Sequence, residues 1–405
     1  PGGGVFGRPA AALDEVAEKA GLATYGSRRS RVGGFPDVIG AMPSSLIPEE
    51  ITTPGDGALR ALIVSAGNPV LSVPDGTAMR AALGELDLLV SIDLYVNETN
   101  ADADYVLPAT TFLEREDIPL AFLGFYTTPF VQWTEPVVAP RGEARDEWET
   151  IEALAGELGI VPSSEPLLRR LRRFGVRVTP QRFVDLLLRT GPEGDRFGLR
   201  RGGLNLKKLR AAPHGIVTAE HIATGVLPHK VRHPDRLVRL DPPVLRGEIA
   251  RLQATVGAAD ERFPLRLIGL RELRSHNSWM HNAPLLMRGG REQTARMNPE
   301  DAAALGVGDG DEIRIVSASG EVRIPARLTD EVMRGVLAVP HGWGHQGGWQ
   351  VANAAGGVNV NVLASNRAED LEPLAGMAFL NGIPVRVEAV VPATGAPVVT
   401  AAPVG

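Results

Sequence analysis

Up to about residue 160 the chain alternates short continuous apolar runs with segments of helical spacing. From residue 263 onward it shows strand-length runs separated by glycine-rich turns. Residues 61–65 read ALIVS and are stopped by Gly67, Asn68 and Pro69, the pattern of a strand buried in a parallel sheet. Helical spacing follows over 77–86, and 88–92 (LLVSI) predict a second buried strand that stops at Asp93. A third short strand, 105–107, closes on Pro108. The result is a strand–helix–strand unit with polar turns at the carboxyl ends of its strands, where open α/β sheets bind ligands. Trp148, Ile151, Leu154, Ala155 and Leu158 recur at helical spacing before Gly159, which predicts a helix packed on that sheet. Residues 1–60, rich in Gly, Pro and small residues, read as loop-rich connecting structure with one amphipathic helix near 11–20.

Between 161 and 262 the pattern is charged and irregular, with helix candidates at LLRRLRRF from Leu167 and RFVDLLLRT from Arg182. The arginines of the first lack interleaved aromatics, so a solvated or interdomain face fits better than an RNA-binding stripe. Short strands are predicted at 265–270, 312–317, 321–328 and 336–339, separated by turns such as GVGDGD and SASG. One helix interrupts them: Asn298 caps it, Pro299 starts it, Glu300 and Asp301 suit its dipole, and Gly306 ends it. A closed barrel is the natural way to bury such strands. The predicted architecture is α/β: a partial Rossmann-like open-sheet domain over 1–160, a connecting segment over 161–262, a β-barrel domain over 263–392 and a tail over 393–405.

Composition narrows the chemistry. The 405 residues are enough for two to four domains, and 48 acidic against 42 basic residues argue against a nucleic-acid-binding protein. There is no cysteine, which removes disulfides, thiol nucleophiles, cysteine-bound zinc and any iron–sulfur cluster held by this chain. No signal peptide and no membrane span is legible, and the compartment stays open, with the cytoplasm favoured. The first residue is Pro1 rather than Met, so the chain is expected to be one piece of a longer polypeptide.

Three polar clusters are candidate sites. In LIGLRELRSHNSWMHN, from Leu267, an apolar run breaks at Arg271 into Arg274, Ser275, His276, Asn277, Ser278, Trp279, His281 and Asn282. Such a string is either a polar surface loop or a clamp for a flat heteroaromatic ligand carrying phosphate, which arginine holds in a bidentate fork. Asp93, at the end of a buried strand, either caps a turn or accepts the two parallel N–H groups on one edge of guanine. Asn97, Glu98, Thr99 and Asn100 continue a polar loop that can reach the same ligand, whereas Glu114 to Asp117 read as a solvated charge cluster. In HGWGHQGGW, His341 and His345 have the spacing of a helical zinc pair, but Gly342 and Gly344 oppose a helix and no acidic third ligand is evident. Glycines there, and in AAGGVNVNVL with Asn359 and Asn361, suit a backbone that approaches phosphate or a base.

Taken in order, ALIVSAGNPVLSVPD, LDLLVSIDLYVNETNADADYVLPATTFLERED, the Leu267 stretch, MNPEDAAALGVGDGDEIRIVSASGEVRIPARLTDEV, PHGWGH and VNVNVL resemble the C-terminal half of a molybdopterin oxidoreductase. This is the family of formate dehydrogenase, periplasmic nitrate reductase and dimethyl sulfoxide reductase. The resemblance covers about 60–160 and 263–390. It implies two-electron redox chemistry, on formate or an oxyanion, at molybdenum or tungsten held by bis-molybdopterin guanine dinucleotide. It implies that Asp93 takes a guanine edge with Asn97 and Asn68 nearby, and that Glu147 or its neighbour Asp146 is a second guanine-side acid. Arg271, Ser275, Asn277 and Ser278 would contact pterin or phosphate, and His341 and Asn361 would line the same cofactor. Position 275 departs from the family, in which His is frequent.

No catalytic residue and no metal ligand can be named in this chain. The resemblance places a [4Fe-4S] cluster and the metal ligand in a missing N-terminal half or in another chain, with an electron-transfer partner beyond. On that reading this chain alone is inactive. The alternative is a non-catalytic scaffold relative that keeps the fold without redox chemistry.

Overall fold

The apolar runs at 61–65 and 88–92 become neighbours because the residues between them roll into helices that cover one sheet face. The computed structural model describes residues 7–11, 13, 17–18, 21–160, 170, 178–222, 224–231, 233–255 and 260–390. An antiparallel pair comes first, β1 (Tyr25–Arg29) with β2 (Pro36–Val38). Then β3 (Ala61–Ser65), β4 (Leu88–Asp93) and β5 (Tyr105–Pro108) form a three-stranded parallel sheet in that order. The helices Ile47–Thr52 and Gly76–Leu83 lie against it through Ile51, Met79, Ala82 and Leu83, which pack with Val70, Val73 and Leu89. Asp75 starts the second helix by accepting from the Ala78 amide.

Only the middle strand is buried as its pattern predicts. Ile63, Val90 and Tyr105 are register partners across the sheet and therefore share one face. Val90 is 8% exposed, but Ile63 is 51% and Tyr105 62% exposed, so the outer strands show apolar side chains to solvent. Parallel sheets normally bury both faces, which is why the apolar runs read as fully buried. The helix Glu147–Glu157 forms as expected and ends near Gly159, at φ 65°, but it buries only Ala155. Its packing on the sheet is correspondingly thin.

Residues 161–262 are more than a connector. The helix Pro180–Thr190, capped by Thr179, inserts Val184, Leu187 and Leu188 among Leu204, Leu206 and Leu209. That core is completed from the other side of position 160 by Ala10, Leu123, Val131 and Trp133. The short strands β6 (Phe130–Val131) and β7 (Ile216–Val217) pair across the same divide. The helix candidate at Leu167 and much of the one near 11–20 lie outside the described residues.

The C-terminal region closes into a barrel of six strands: β8 (Leu265–Leu270), β9 (Ala295–Met297), β10 (Glu312–Val316), β11 (Glu321–Leu328), β12 (Val336–Pro340) and β13 (Ile383–Ala389). Around it the order is β10-β11-β9-β12-β8-β13. Alternate residues of β11 point inward, Val322, Ile324 and Ala326 meeting Ile313, Ile315, Leu337, Val339 and Val385 in one core. Two of the strands were not legible in the pattern. β9 has three residues, too few to show a period, and β13 contains Pro384, which normally demotes a run from strand status. The helix Pro299–Leu305 is capped by Asn298, whose side chain accepts from the Glu300 amide, and stops at Gly306 with φ 69°. Among the described residues no helix is long and apolar enough to cross a membrane.

Two substitutions separate the closed core from the half-covered sheet. Leu337→Ala, at a side chain with no exposure, is expected to cost about 2–5 kcal/mol in denaturant unfolding. Ile63→Ala, at a half-exposed one, should stay within about 0.5 kcal/mol. Equal losses would mean that the outer face of β3 is covered.

Candidate functional site

The loop after β4 turns back on itself and buries four consecutive polar side chains. Asn97, Glu98, Thr99 and Asn100 are each no more than 3% exposed. Such groups are tolerated only when hydrogen-bonded, and these bond one another and their surroundings. The Asn97 side-chain oxygen accepts from the Thr99 amide at 3.0 Å, and Asn100 donates to Ser91 at 2.9 Å. Thr99 donates to the side-chain oxygen of Asn68 at 2.7 Å, and Asn68 in turn donates to Glu98 at 2.6 Å. Asn68 is therefore a structural member of this loop as well as a wall of the cleft described below.

Asp93 sits at the root of the loop, 8% exposed. One carboxylate oxygen accepts from the Leu94 amide at 2.6 Å and the other from Asn97 at 3.0 Å. Burial raises its pKa above the ordinary carboxylate value, against hydrogen bonds from the backbone of Leu94 and Tyr95 and from Asn97, and the negative charge of Glu147 adds to the rise. The turn-capping reading of Asp93 holds, and its carboxylate stays at the end of a buried strand with acceptor capacity beyond these two bonds. Glu147 accepts from Ser65 at 2.8 Å and from Arg115 at 3.2 Å. Asp146, the other candidate, is held by Thr110 and by Trp148. Glu114 departs from the solvated cluster expected for it: it is 9% exposed and accepts from the amides of Thr111 and Arg141.

The barrel supplies the opposite wall. Beyond β8 the chain runs through His276 and Asn277, both left-handed with φ 42° and 60°. Two consecutive non-glycine residues in that region are costly, and such conformations cluster at binding loops. The turn is locked from the next loop, where Gly342 is also left-handed and an added Cβ would lie 2.4 Å from the Asn277 carbonyl oxygen. Gly347 presses as closely on the α/β side, its Cβ position lying 2.6 Å from the Asn97 backbone. Residues 341–349 are not helical, so His341 and His345 do not share a helix face. His341 lies near the Leu270 carbonyl and Asn277, both at 3.2 Å, and burial lowers its pKa. Arg271 donates to the same Asn277 oxygen at 2.5 Å.

Between the two walls lies a cleft lined by Asn68, Asp93, Tyr95 and Asn97 on one side and Ser278, Trp279 and Trp349 on the other. Its free volume of about 10 Å³ is that of a single water at most. Trp349 stacks between Tyr95, at 4.8 Å, and His345, at 4.9 Å, and its buried indole N–H has no partner among the described residues. Trp349 and Asp93 both line the cleft, so it carries an unsatisfied buried donor as well as an acidic acceptor. The donor and acceptor set fits a ligand that carries both N–H groups and anionic oxygens.

Four of the predicted residues, Asn68, Asp93, Asn97 and Ser278, are brought together here. Arg271, Asn277 and His341 stand along the loop beside it. Ser275 and Asn361 are placed differently. Ser275 is 2% exposed, with its hydroxyl engaged by His281 at 2.9 Å and by Arg291 at 2.6 Å. Asn361 uses its amide to hold the Leu71 carbonyl at 2.8 Å, tying the barrel to the α/β unit. Neither side chain lines the cleft.

Behind the cleft is a network that pattern reasoning did not assemble. Glu98 accepts from Asn68 and from the amides of Gln346 and Gly347, at 2.7 and 2.9 Å. His345 lies 3.3 Å from Glu98, close enough for charge attraction but not aligned as a hydrogen bond. His345 also faces His281 at 3.3 Å, and His281 has no exposure. Burial would push the Glu98 carboxyl up, but the nearby His345 and the donors from Asn68 and the backbone outweigh it and hold the group at about 2. His281 is lowered to about 4 by burial and by the charges of His345 and Arg291. These residues stand far apart in sequence: the polar clusters named Glu98, His281 and His345 separately, but nothing local paired them.

Fold and site together define a two-part ligand-binding protein, with an α/β unit and a barrel facing each other across a cleft of acceptors and donors. Comparison with known proteins makes this specific. Residues 7–157 match the family described as molybdopterin oxidoreductase, and residues 265–384 match the molydopterin dinucleotide binding domain. The chain belongs to the molybdopterin oxidoreductase family. It is 28% identical over 312 residues to the F420-dependent formate dehydrogenase subunit alpha of Methanocaldococcus jannaschii, covering 73% of this chain and 40% of that protein. It is 25% identical over 301 residues to the assimilatory nitrate reductase catalytic subunit of Bacillus subtilis, covering 71% and 38%. In structure it is similar to acetylene hydratase from Pelobacter acetylenicus, with TM-score 0.56 at 24% identity, over 94% of this chain and 50% of that one. The chain thus spans about two fifths of the length of these curated relatives.

The two buried groups make stability fall with acid in two stages. His281 has a folded pKa of about 4 against the ordinary imidazole value of 6.5, so its neutral form is favoured by folding. The unfolded chain binds the extra proton between those values, and stability present above 6.5 is lost as pH falls toward 4. Glu98, depressed from 4.5 to about 2, contributes stability that is present above 4.5 and lost as pH falls toward 2. Denaturant midpoints measured against pH should show both stages, and His281→Gln should abolish the upper one alone. A midpoint flat between 6.5 and 4 in the unmodified chain would contradict this.

Proposed function

We propose that this chain is the cofactor-binding, C-terminal portion of a molybdenum or tungsten oxidoreductase that carries out two-electron redox chemistry, with formate or an oxyanion as the substrate class. The observation that carries the reading is the cleft where Asp93, Asn97 and Asn68 meet Ser278 and Trp349 across the two units. Formate dehydrogenase and nitrate reductase among its relatives support the substrate class. In this reading the three-stranded sheet is part of a Rossmann-like domain, and the boundaries near 160 and 262 separate it from the barrel domain.

The group that fits is bis-molybdopterin guanine dinucleotide, which when bound supplies the redox centre. Everything else is done by the protein. Asp93 would accept the paired N–H groups of a guanine edge, for which it must be ionised, and the arriving donors oppose the rise that burial causes. Asn97 would fix the orientation of that carboxylate through the bond it already makes. Ser278, Asn277 and the exposed guanidinium of Arg271 would take phosphate or pterin atoms, with the Trp349 N–H as a further donor. His341 would hold Asn277 in place, and Glu147 would set the field at Asp93. Ser275 and Asn361 would act through their neighbours. The cleft must widen to admit a dinucleotide, since its present volume holds no more than water.

A chain without cysteine cannot hold a thiolate-ligated cluster. The [4Fe-4S] cluster and the metal ligand would therefore come from further polypeptide, with an electron-transfer partner beyond it.

Asp93→Asn keeps the shape of the side chain and removes its charge. In the full-length enzyme it is expected to lower affinity for the cofactor, read as bound molybdenum or tungsten at limiting cofactor, by about 10- to 100-fold, as loss of a charge-assisted hydrogen bond of about 1.5–3 kcal/mol predicts. Thermal stability of the cofactor-free chain should change little by comparison. Equal metal content in mutant and wild type, by elemental analysis, would remove Asp93 from the binding site.

A further inference from the structure

The network behind the cleft has a direction. Arg291 donates to the Ser275 hydroxyl at 2.6 Å, so that oxygen is free to pass its own proton onward. It has two acceptors in reach, His281 Nε2 at 2.9 Å and the Glu272 carboxylate at 3.3 Å. His281 Nδ1 faces His345 Nε2 at 3.3 Å, and His345 Nδ1 lies 3.3 Å from Glu98. A carboxylate therefore stands at each end of a chain of one hydroxyl and two imidazoles, every member of which can both give and take a proton. The chain crosses from the barrel to the α/β unit. Its interior is shut off by Trp343, 4.5 Å from the His281 ring, and by Trp349, stacked on His345. The Glu272 end is partly open, with 22% of its side chain exposed, whereas His281, His345 and Glu98 are each no more than 4% exposed.

We propose that Glu272, Ser275, His281, His345 and Glu98 form a proton relay across the domain interface that stores one exchangeable proton on the histidine pair. In the neutral state Ser275 donates to His281 Nε2, His281 Nδ1–H donates to His345 Nε2, and His345 Nδ1–H lies 3.3 Å from ionised Glu98. A proton from a solvent hydronium enters at the Glu272 end and bonds to the Ser275 oxygen. The former hydroxyl proton moves to His281 Nε2, the Nδ1 proton of His281 moves to His345 Nε2, and His345 becomes an imidazolium against Glu98. Each step breaks one O–H or N–H bond and forms the next. No electron moves, and the net change is one added positive charge.

Afterwards the bonds run the other way: His345 Nε2–H to His281 Nδ1, His281 Nε2–H to Ser275, and the Ser275 hydroxyl to Glu272. The groups facing the pair fit a single stored charge. Glu98 balances it, Arg291 and the neighbouring imidazole oppose a second charge on His281, and Glu272 stands behind Arg291, 3.0 Å away. The redox reading gives this store a use, because two-electron chemistry takes up or releases protons. Its existence does not depend on that reading.

The test uses the full-length enzyme in cofactor-free form, labelled with nitrogen isotope at histidine only, with imidazole nitrogen shifts followed from about pH 8 to about pH 5. The expected result is uptake of one proton by the pair, seen on His345, while His281 stays neutral but exchanges its Nδ1–H tautomer for Nε2–H. Glu98→Gln, which removes the counter-charge, should lower the uptake midpoint by roughly one pH unit or more. Ser275→Ala, which cuts the route to Glu272, should slow solvent exchange of the imidazole N–H about tenfold, as expected when a buried site loses its connection to water.

A single His281 tautomer throughout would overturn the relay, as would independent protonation of both rings or a His345 titration indifferent to Glu98→Gln. Should the Glu98 variant not fold, the tautomer exchange in the unmodified chain decides alone. Because no cofactor is present, a negative result leaves the metal-content experiment on Asp93 untouched, and a failure of that experiment leaves this one standing.

Discussion

The carboxylate of Glu98 is the contact on which the arrangement depends. It is buried in the α/β unit, yet two of its donors, the amides of Gln346 and Gly347, belong to the barrel loop, and so does His345. A buried charge left unpaired is among the most costly defects a protein can carry. Glu98 can therefore be ionised only where that loop is docked. The same carboxylate accepts from Asn68, which accepts from Thr99, and the Thr99 hydroxyl accepts in turn from the Val70 amide. Docking of the barrel and the shape of the loop below Asp93 are thus one event.

Close backbone contacts make that docking specific. Gly347 lies against Asn97 and Gly342 against Asn277 at distances where any side chain would collide, so the cleft walls meet through backbone rather than through adaptable side chains. The left-handed His276 and Asn277 store strain in the loop that would meet a ligand. A cleft built this way is narrow but pre-shaped. Asn359 and Asn361 add two more ties, holding the carbonyls of Val70 and Leu71 from the barrel side.

Much of the architecture was legible from pattern alone. The continuous runs at β3 and β4, the hard stop at Asp93, the cap and stop of the Pro299–Leu305 helix and the alternation in β11 all rest on local rules of burial and backbone geometry. Those rules fail where a strand is too short to show a period, as at β9, or where proline interrupts it, as in β13. They also misjudged exposure: a run such as ALIVS records that a strand is apolar, not how many layers cover it, and β3 has one face open.

For the site the division is similar. By itself the sequence determined which residues were candidates for chemistry, because a polar string breaking an apolar strand, a carboxylate at a strand end and a glycine-rich turn are each local statements. The order of those segments also sufficed to indicate the family. Tertiary structure alone decided how the residues are used. Ser275 and Asn361 look like ligand contacts in the string but turn inward to bond His281 and Leu71, and Glu98, one of a run of polar residues, becomes the centre of the interface. The physical reason is that hydrogen-bond partners of a buried group are chosen by the fold across hundreds of residues, and no local pattern encodes which donor will arrive.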